Sequence, residues 1–427
     1  MINEQFIIKF LNINPTILIE IIFKIQVIVR RRCEKMSVQT KQASAEVLTT
    51  LIQTFAQTAA ERDKLGGTAK KERDLIRNSG LLRLTFSEEL GGYEKGWSSV
   101  LQYTREIAKV DSSLAHLFGY HFLCLASVEL YGTAEQVEHF NKITAENNYF
   151  WGNTFNPLDT HVKATKTESG WVVNGKKSFC SGASDSDLLL ISAQKEDDSG
   201  VLIAVVPTTR QGITVLDDWD SFGQRQTDSG SVNFDNVQVK VEEVLDAFQA
   251  NNDNIFSTVR THIAQSILTN VLLGTAEGAF DVAKEYTQKH TRPWITSDVS
   301  SAVDDPYTLH HYGEWYVKLK AADALVNISA NVLENTWALK HSITIEKRGE
   351  CSIAVATAKV QVAQTALDVT SQIFQAMGAR STSAKYNLDR YWRNVRTHTL
   401  HDPIDYKYRD IGQYVLKNQY PQISAYS

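Results

Sequence analysis

The chain has 427 residues, of which 43% are hydrophobic and 22% charged, as expected for a globular protein of two or three domains. Its formal net charge of −5 argues against a nucleic-acid-binding protein. Only 7 prolines and 22 glycines occur, which is too few for a long disordered region.

The cysteine pattern indicates the chemistry and the compartment. The four cysteines are widely separated, and no CxxC pair occurs. This spacing favours neither a disulfide framework nor a zinc site. We therefore predict no metal and a location in the reducing cytoplasm.

Residues 1–35 differ in composition from the rest of the chain. They are rich in Ile and Asn and end near Arg30, Arg31 and Arg32. A secretory signal would place its positive charge before the apolar run. Polar residues also interrupt the run before it reaches the roughly 20 residues of a membrane span. We predict that Met36 is the natural start and that residues 1–35 are a non-native or flexible extension; a membrane-associating tail is the alternative.

Residues 36–148 are predicted to form an N-terminal helical domain. Apolar residues recur at three- and four-residue spacing from residue 48 to residue 55. Gly80 can end a later helix, and Asp111 can cap a helix over residues 112–131.

Residues 149–253 are predicted to form a small β-barrel domain. The hydrophobic period changes to two, and turn signals such as Asp197-Asp198-Ser199-Gly200 separate the apolar runs. The predicted strands lie in WVVNGKKSF, DLLLISAQ, GVLIAVVP, GITVLDDW and GSVNFDNVQV. Many short strands within about a hundred residues favour a barrel or a sandwich.

Residues 254–427 are predicted to form a C-terminal helical bundle. Long helical patterns run through 256–290, 306–340 and 347–378, with few internal Gly or Pro. Such lengths are typical of an antiparallel bundle.

This order of domains resembles the acyl-CoA dehydrogenases. LIRNSGLLRLTFSEELGG (75–92) resembles the N-terminal helix and loop of that family, and VNGKKSFCSGASDSDLLLIS (173–192) resembles its flavin-contacting strand. SFGQRQTDSGSVNFDNVQV (221–239) resembles the hairpin that closes the β-domain. The resemblance implies an α+β fold with a helical domain, a small β-barrel domain and an antiparallel four-helix bundle.

One branch of the family, the dibenzothiophene monooxygenases of bacterial desulfurisation, is the most similar. The matching strings include LAHLFGYH (114–121), GQRQTDSGS (223–231), TRPW (291–294) and DRYWRNVRTHTLHDP (389–403). The resemblance implies a homotetramer that takes reduced FMN from a separate NAD(P)H-dependent flavin reductase. It also implies that dioxygen oxidises the sulfur of an organosulfur substrate.

His116 and Tyr120 are candidates for catalysis, since they share one face of a predicted helix. A buried histidine or tyrosine is more often a core residue. The resemblance implies that both line the pocket beside the flavin, where an imidazole can move a proton near neutral pH. His121 points about 100° away from Tyr120 and is predicted to be structural.

His401 and His398, in THTLHDP, are the C-terminal candidates. The resemblance implies that His401 faces the flavin together with the first-domain histidine, and we expect it to donate a proton or a hydrogen bond. His398 is either a partner at the cofactor or structural. The glutamate base that dehydrogenases commonly carry in this loop is absent from the sequence, which favours oxygenation over dehydrogenation.

Candidates for the cofactor and substrate lie around the predicted strands. Phe179 and Ser181 match positions at which the family places a ring and a hydroxyl against the isoalloxazine, with Cys180 between them facing the opposite way. Asn153 can bond flavin or substrate, or it can simply form a turn. Trp219 either forms a wall of the substrate pocket or belongs to the core.

Arg292 and Arg380 are candidates for the flavin phosphate, because the planar guanidinium binds phosphate with two hydrogen bonds. In dehydrogenases the region of Arg380 is glycine-rich and receives the adenine half of FAD from a neighbouring subunit. A bulky cation there would occupy the adenosine space, which favours FMN over FAD.

Two other functions stay open at this stage. An FAD-dependent acyl-CoA dehydrogenase would be reduced by an acyl-CoA without a reductase, and a non-catalytic scaffold would only bind flavin. No GxGxxG or GxxxxGK[ST] string indicates an independent nucleotide site. The substrate is open as well: dibenzothiophene, an alkyl sulfide or sulfone, or an amine.

Overall fold

The computed structural model describes residues 44–156, 159–197, 200–245 and 254–427. The predictions for residues 1–35 and for Met36 lie outside the described residues. The chain divides into two compact units, Met1–Thr50 and Leu51–Ser427, and the second contains the candidate site.

The N-terminal part is helical, as predicted. Gly80 ends the second helix in the left-handed conformation, with φ of 77°, which a residue without a Cβ adopts at little cost. The Asp111 carboxylate accepts a hydrogen bond from the Leu114 amide at 2.9 Å and caps the fourth helix. The helices are α1 (44–65), α2 (Lys70–Ser79), α3 (Trp97–Ala108), α4 (Ser112–Tyr131) and α5 (Ala134–Asn147).

Helix α4 is the buried axis of this part of the fold. It is long and apolar enough to cross a membrane by length and composition, yet 94% of its apolar window is buried inside the protein. It packs against α3 and against the first long helix of the C-terminal part. Burial on all sides explains why its sequence has no polar face.

The middle of the chain forms one curled sheet of seven strands. The strands are β1 (Trp151–Thr154), β2 (Lys163–Thr167), β3 (Gly170–Lys177), β4 (Leu188–Lys195), β5 (Val201–Pro207), β6 (Ile213–Val215) and β7 (Val232–Lys240). Their order in the sheet is β1-β4-β2-β3-β7-β6, and β5 pairs with β4. The predicted small β-domain is therefore confirmed as a curled sheet, which packs a hydrophobic core that includes Val173, Cys180 and Leu189.

Two predicted strands end earlier than their apolar pattern suggests. The strand in GITVLDDW stops at Val215, because the Asp218 carboxylate accepts from the Ser231 amide at 2.6 Å and the chain turns away. The strand in WVVNGKKSF stops at Lys177, and Phe179 takes a left-handed φ of 59°. Both departures occur next to the candidate site.

The C-terminal part is the predicted antiparallel bundle. Three long helices pack around an Ala- and Val-rich core, and two shorter helices close it. The helices are α6 (Val259–His290), α7 (Pro306–Ala338), α8 (Ile345–Met377), α9 (Asp389–His398) and α10 (Ile404–Lys417). Helix α6 also contacts α3 and α4, which brings the helical parts together beside the sheet.

Candidate active site

A cleft of about 1380 Å³ lies where the sheet meets the helices. Its walls come from α4, the segments after β1 and β3, the loop before β7, the first turns of α6 and the loop after α9. Eight of the ten predicted site residues line it: His116, Tyr120, Asn153, Phe179, Ser181, Trp219, His398 and His401.

His116 is held between a tyrosine and a serine. Its ring stacks on Tyr120, with centroids 4.0 Å apart, and its Nε2 lies 3.0 Å from Ser181 Oγ. Burial, together with the charge of His401, lowers the pKa of His116 to about 3, and burial raises that of Tyr120. His116 is therefore a neutral imidazole at working pH, able to exchange a hydrogen bond with the serine.

Ser181 belongs to a chain of hydroxyl groups along the sheet side of the cleft. Its Oγ lies 2.8 Å from Ser229 Oγ, which donates to Thr227 Oγ1 at 2.8 Å. Thr227 Oγ1 donates to the Gln224 carbonyl at 2.9 Å. Because each hydroxyl is fixed by the next, Ser181 is oriented before any ligand binds.

His398 joins this network from the bundle side. Its Nδ1 lies 3.3 Å from Gln224 Nε2, and its ring centroid lies 5.0 Å from that of His116. Burial and the nearby His116, His401 and Lys359 hold the pKa of His398 well below its usual range. The sequence left its role open, and the contacts make it a neighbour of His116.

His401 lines the cleft from the loop after α9 and is oriented by a carboxylate. Its Nδ1 lies 3.0 Å from Asp402 Oδ1, and its side chain is 38% exposed. Burial alone would raise the pKa of Asp402, but hydrogen bonds from His401 and Lys359 outweigh it and hold that pKa far below its usual range. The ionised Asp402 fixes Nδ1 and leaves Nε2 for the cleft.

Phe179 and Trp219 form an aromatic edge. Phe179 has a left-handed φ of 59°, which is rare for a bulky residue, and 67% of its side chain is exposed. Its ring meets Trp219 edge to face, with centroids 6.1 Å apart, and Trp219 Nε1 donates to the Gln224 carbonyl at 2.8 Å. Strain and exposure at one aromatic residue are typical of a functional position. Cys180, between Phe179 and Ser181, faces the sheet core as predicted.

The two predicted phosphate residues lie elsewhere in the chain. Arg292 and Arg380 are exposed, and neither lines the cleft. They lie at the same end of the bundle, since the Thr291 hydroxyl donates to the Met377 carbonyl at 3.4 Å. A single chain thus provides both arginines at one surface and the remaining candidates in the cleft.

Several cleft residues were not predicted individually. The segment GQRQTDSGS contributes Gln224, Thr227 and Ser229 to the cleft. In the sequence this segment indicates only the family resemblance and no role for the single residues. Asp402 follows His401 directly, and a histidine–acid pair in sequence could have indicated it. Arg260 is the only Asp, Glu, Lys or Arg between residues 254 and 276, but a lone arginine near a helix start is usually solvated, so the sequence gives no specific signal for it.

The donor set fits a planar, hydrogen-bonding cofactor. His116 Nδ1 and Gln224 Oε1 are buried beside the cleft and have no hydrogen-bond partner among the residues that the structure describes. Such atoms normally find a partner, so they fit a ligand that carries both donors and acceptors. In the described part of the chain, no group of three His, Cys, Asp or Glu could hold a metal ion.

Helices, a curled sheet and a helical bundle that meet at a cleft of hydroxyl, imidazole and aromatic groups define the acyl-CoA dehydrogenase type of flavoprotein. The chain belongs to the acyl-CoA dehydrogenase family. Its residues 39–146, 151–237 and 266–406 match the models of the N-terminal, middle and C-terminal domains.

Three relatives indicate the branch. The chain is 46% identical to the probable FMNH2-dependent monooxygenase SfnC of Pseudomonas putida, over 87% of this chain and 94% of that protein. It superposes on methanesulfinate monooxygenase MsuC of Pseudomonas fluorescens with a TM-score of 0.87 and 46% identity, covering 90% and 99% of the two chains. The complex of the dibenzothiophene monooxygenase TdsC of Paenibacillus sp. A11-2 with FMN and indole gives a TM-score of 0.87 at 40% identity, covering 90% and 100%.

Proposed function

We propose that this protein is a two-component flavin monooxygenase that uses reduced FMN and dioxygen to oxidise the sulfur of an organosulfur compound. The observation that carries the proposal is the cleft in which the His116–Ser181 pair and His401 stand beside an exposed aromatic edge. This chain matches nearly the whole length of relatives at 40–46% identity, and these relatives act on such compounds or depend on FMNH2.

The proposed flavin site uses the sheet side of the cleft. Phe179 and Trp219 would flank the ring system, and the Ser181 hydroxyl would bond its polar edge. Bound reduced FMN supplies the two electrons that activate dioxygen. Enclosing the flavin ring in the cleft would exclude water from it, which would favour transfer of oxygen to the substrate over loss as hydrogen peroxide.

His401 and His116 would manage protons on the two sides of the cleft. With Nδ1 bonded to Asp402, His401 can accept or donate a proton at Nε2. Neutral His116 can pass a hydrogen bond through Ser181. Asn153, whose backbone N–H donates to the Ser181 carbonyl at 2.9 Å, would hold the segment that presents this serine.

Arg292 and Arg380 would bind the FMN phosphate across a subunit interface of a homotetramer. They are exposed and lie at one end of the bundle, and Trp294 and Ile295, next to Arg292 in the sequence, are exposed as well. Large exposed apolar side chains are typical of an association face.

The partners follow from the chemistry. A separate NAD(P)H-dependent flavin reductase would supply FMNH2 by diffusion, and the reaction would take place in the cytoplasm. Cys124, Cys180 and Cys351 are buried and unpaired, which agrees with a reducing compartment.

The test uses oxygen isotopes. The protein is combined with a flavin reductase, NADH and FMN under ¹⁸O₂, and dibenzothiophene, an alkyl sulfide and an alkanesulfinate are added in separate reactions. We expect at least one oxidised product, a sulfoxide or a sulfonate, that has gained one ¹⁸O atom. If reduced FMN is consumed only to hydrogen peroxide with all three compounds, the monooxygenase proposal fails. Reduction of bound FAD by an acyl-CoA would instead identify a dehydrogenase.

Ser181→Ala is expected to weaken FMN binding about 2- to 10-fold, the effect of losing one neutral hydrogen bond. The substitution also removes the partner of His116 Nε2. Fluorescence titration of oxidised FMN measures the dissociation constant. Ser186→Ala, which changes a serine bonded to Thr208 instead, is the matched control and should bind FMN like the wild type. Unchanged FMN affinity in Ser181→Ala would remove this serine from the proposed site.

A further inference from the structure

One wall of the cleft contains a half-buried arginine that the proposed reaction has not used. Arg260 lies in the first turn of α6 and lines the cleft. Its Nε donates to Ser127 Oγ at 2.7 Å, and its Nη2 donates to Asn153 Oδ1 at 3.1 Å. The guanidinium lies 3.8 Å from the centroid of the Phe155 ring. These contacts hold the group in one orientation against the wall.

No carboxylate balances this charge among the residues that the structure describes. The ionisable groups that face Arg260 are Tyr120, Cys124 and Tyr131, and burial raises the pKa of each of them, for Cys124 to about 12. All three are therefore neutral near pH 7. By contrast, the buried Arg73 pairs with two aspartates.

Packing against the cleft wall removes much of the water around Arg260, and a cation that loses water without gaining a counter-charge is suited to bind an anion. Within the described chain, Arg260 Nη1 makes no hydrogen bond, while Nε and Nη2 are both used. The guanidinium thus has donor capacity left beside the cleft. A small oxyanion could accept from Nη1 and neutralise the charge at once.

Resting on the proposed function, we propose that Arg260 is the specificity-determining residue for an anionic substrate, and that the substrate class is an alkanesulfinate. The Asn153 side-chain oxygen accepts from Arg260, and the Asn153 backbone amide donates to the Ser181 carbonyl. The Ser181 hydroxyl in turn hydrogen-bonds His116. An anion on Arg260 therefore lies next to the proposed reactive groups.

A sulfinate fits this position better than a carboxylated thioether. In a sulfinate the sulfur is directly bonded to the charged oxygens, so the arginine would position the reacting atom itself. A carboxylate would place its sulfur several bonds away. The aromatic wall formed by Phe155 and Tyr131, with ring centroids 6.1 Å apart, limits the space beside the guanidinium.

The reaction balances with the proposed co-reactants. The sulfur lone pair forms one new S–O bond, the O–O bond breaks, and the second oxygen leaves as water with the two hydrogens of FMNH2. The sulfinate is oxidised by two electrons to a sulfonate, reduced FMN is oxidised by two, and dioxygen takes up all four.

The test compares methanesulfinate with dimethyl sulfoxide, a neutral molecule of nearly the same shape. Calorimetric titration of the full chain, loaded with oxidised FMN and without reductant, measures binding without turnover. We expect Arg260→Gln to weaken methanesulfinate binding about 10- to 100-fold, the loss of a charge-assisted hydrogen bond. Dimethyl sulfoxide binding should change little.

Two further variants complete the experiment. Arg409→Gln, at an exposed arginine outside the cleft that pairs with its neighbour Asp410, is the matched control and should behave like the wild type. Arg260→Lys keeps the charge without the planar fork and should fall between the wild type and Arg260→Gln. The lysine variant also tests the proposal if Arg260→Gln does not fold. Wild-type affinity for methanesulfinate in Arg260→Lys would refute the proposed recognition of the anion by the planar guanidinium.

The outcomes separate this inference from the proposed function. If the wild type binds dimethyl sulfoxide as tightly as methanesulfinate, or if Arg260→Gln keeps full sulfinate affinity, Arg260 is not the anion site. Incorporation of ¹⁸O into neutral sulfides would still support the monooxygenase. Arginine-dependent sulfinate binding without any oxygen incorporation would uphold the site and refute the reaction.

Discussion

Replacing His401 by alanine is expected to lower organosulfur oxidation by at least about 100-fold, within the range for loss of general acid–base catalysis. Asp402 holds Nδ1 of His401, so the ring leaves Nε2 for the cleft, and His401 is the more exposed of the two imidazoles at this end of α9, since His398 is buried. Oxidised FMN should still bind, because the aromatic edge and the hydroxyl chain are untouched. Product formation and hydrogen peroxide are measured together in the reductase-coupled assay.

The coupling ratio makes this prediction specific. We expect His401→Ala to keep consuming NADH while releasing hydrogen peroxide in place of sulfoxide or sulfonate. His139→Ala, at an exposed histidine on α5, controls for the loss of an imidazole as such and should couple normally. Full product yield in His401→Ala would assign the proton transfer to another group, with His116 the first to be tested.

Asp402 acts on this reaction through His401 and through the bundle. Its Oδ1 also accepts from Lys359 of α8 and, at 3.3 Å, from Gln265 of α6. The loop after α9 is thereby fixed to two long helices. The position of His401 is set by a buried ion pair that sequence spacing alone does not reveal.

The sequence predicts the helices well because their limits are set by local chemistry. Asp111 caps α4 with its own carboxylate, and Gly80 ends α2 in a left-handed turn. These effects act within a few residues. The strands predicted through Phe179 and Trp219 fail at their ends because contacts from distant segments redirect the chain there, such as the hydrogen bond from the Cys180 amide to the Gly230 carbonyl at 2.9 Å.

The site was predictable to the extent that it lies in recognisable strings. His116, Ser181 and His401 come from three separate parts of the sequence, and the fold brings them to one cleft. Arg260 could not be recognised, because a single arginine near a helix start is usually a solvated residue. Its significance depends on burial and on missing carboxylates, and both are properties of the packed structure alone.

Acidification from pH 6.5 to 5.5 is expected to destabilise the fold by an amount on the order of 4 kcal/mol, about 1 kcal/mol for each of four histidines, because an unfolded ring is already half protonated at pH 6.5. Burial lowers the pKa of His116 to about 3 and of His121 to about 4, and it holds those of His262 and His398 well below the usual range. An unfolded chain protonates these rings near pH 6.5. The unfolded state therefore binds more protons below pH 6.5, and stability falls with the pH until the folded rings titrate.

Proton uptake during urea unfolding at pH 5.5, followed with a pH-indicator dye, measures this difference directly and should approach four protons per chain from these rings. His262→Leu isolates one of them, because within the described ranges neither ring nitrogen of His262 has a hydrogen-bond partner and the residue lies outside the cleft. The variant should take up about one proton fewer. His139→Ala, at an exposed histidine, should leave the uptake unchanged. Equal uptake by the wild type and His262→Leu would mean that this ring already carries its proton in the fold. Its neighbours Arg348 and Lys407 oppose such a second positive charge in the same buried space.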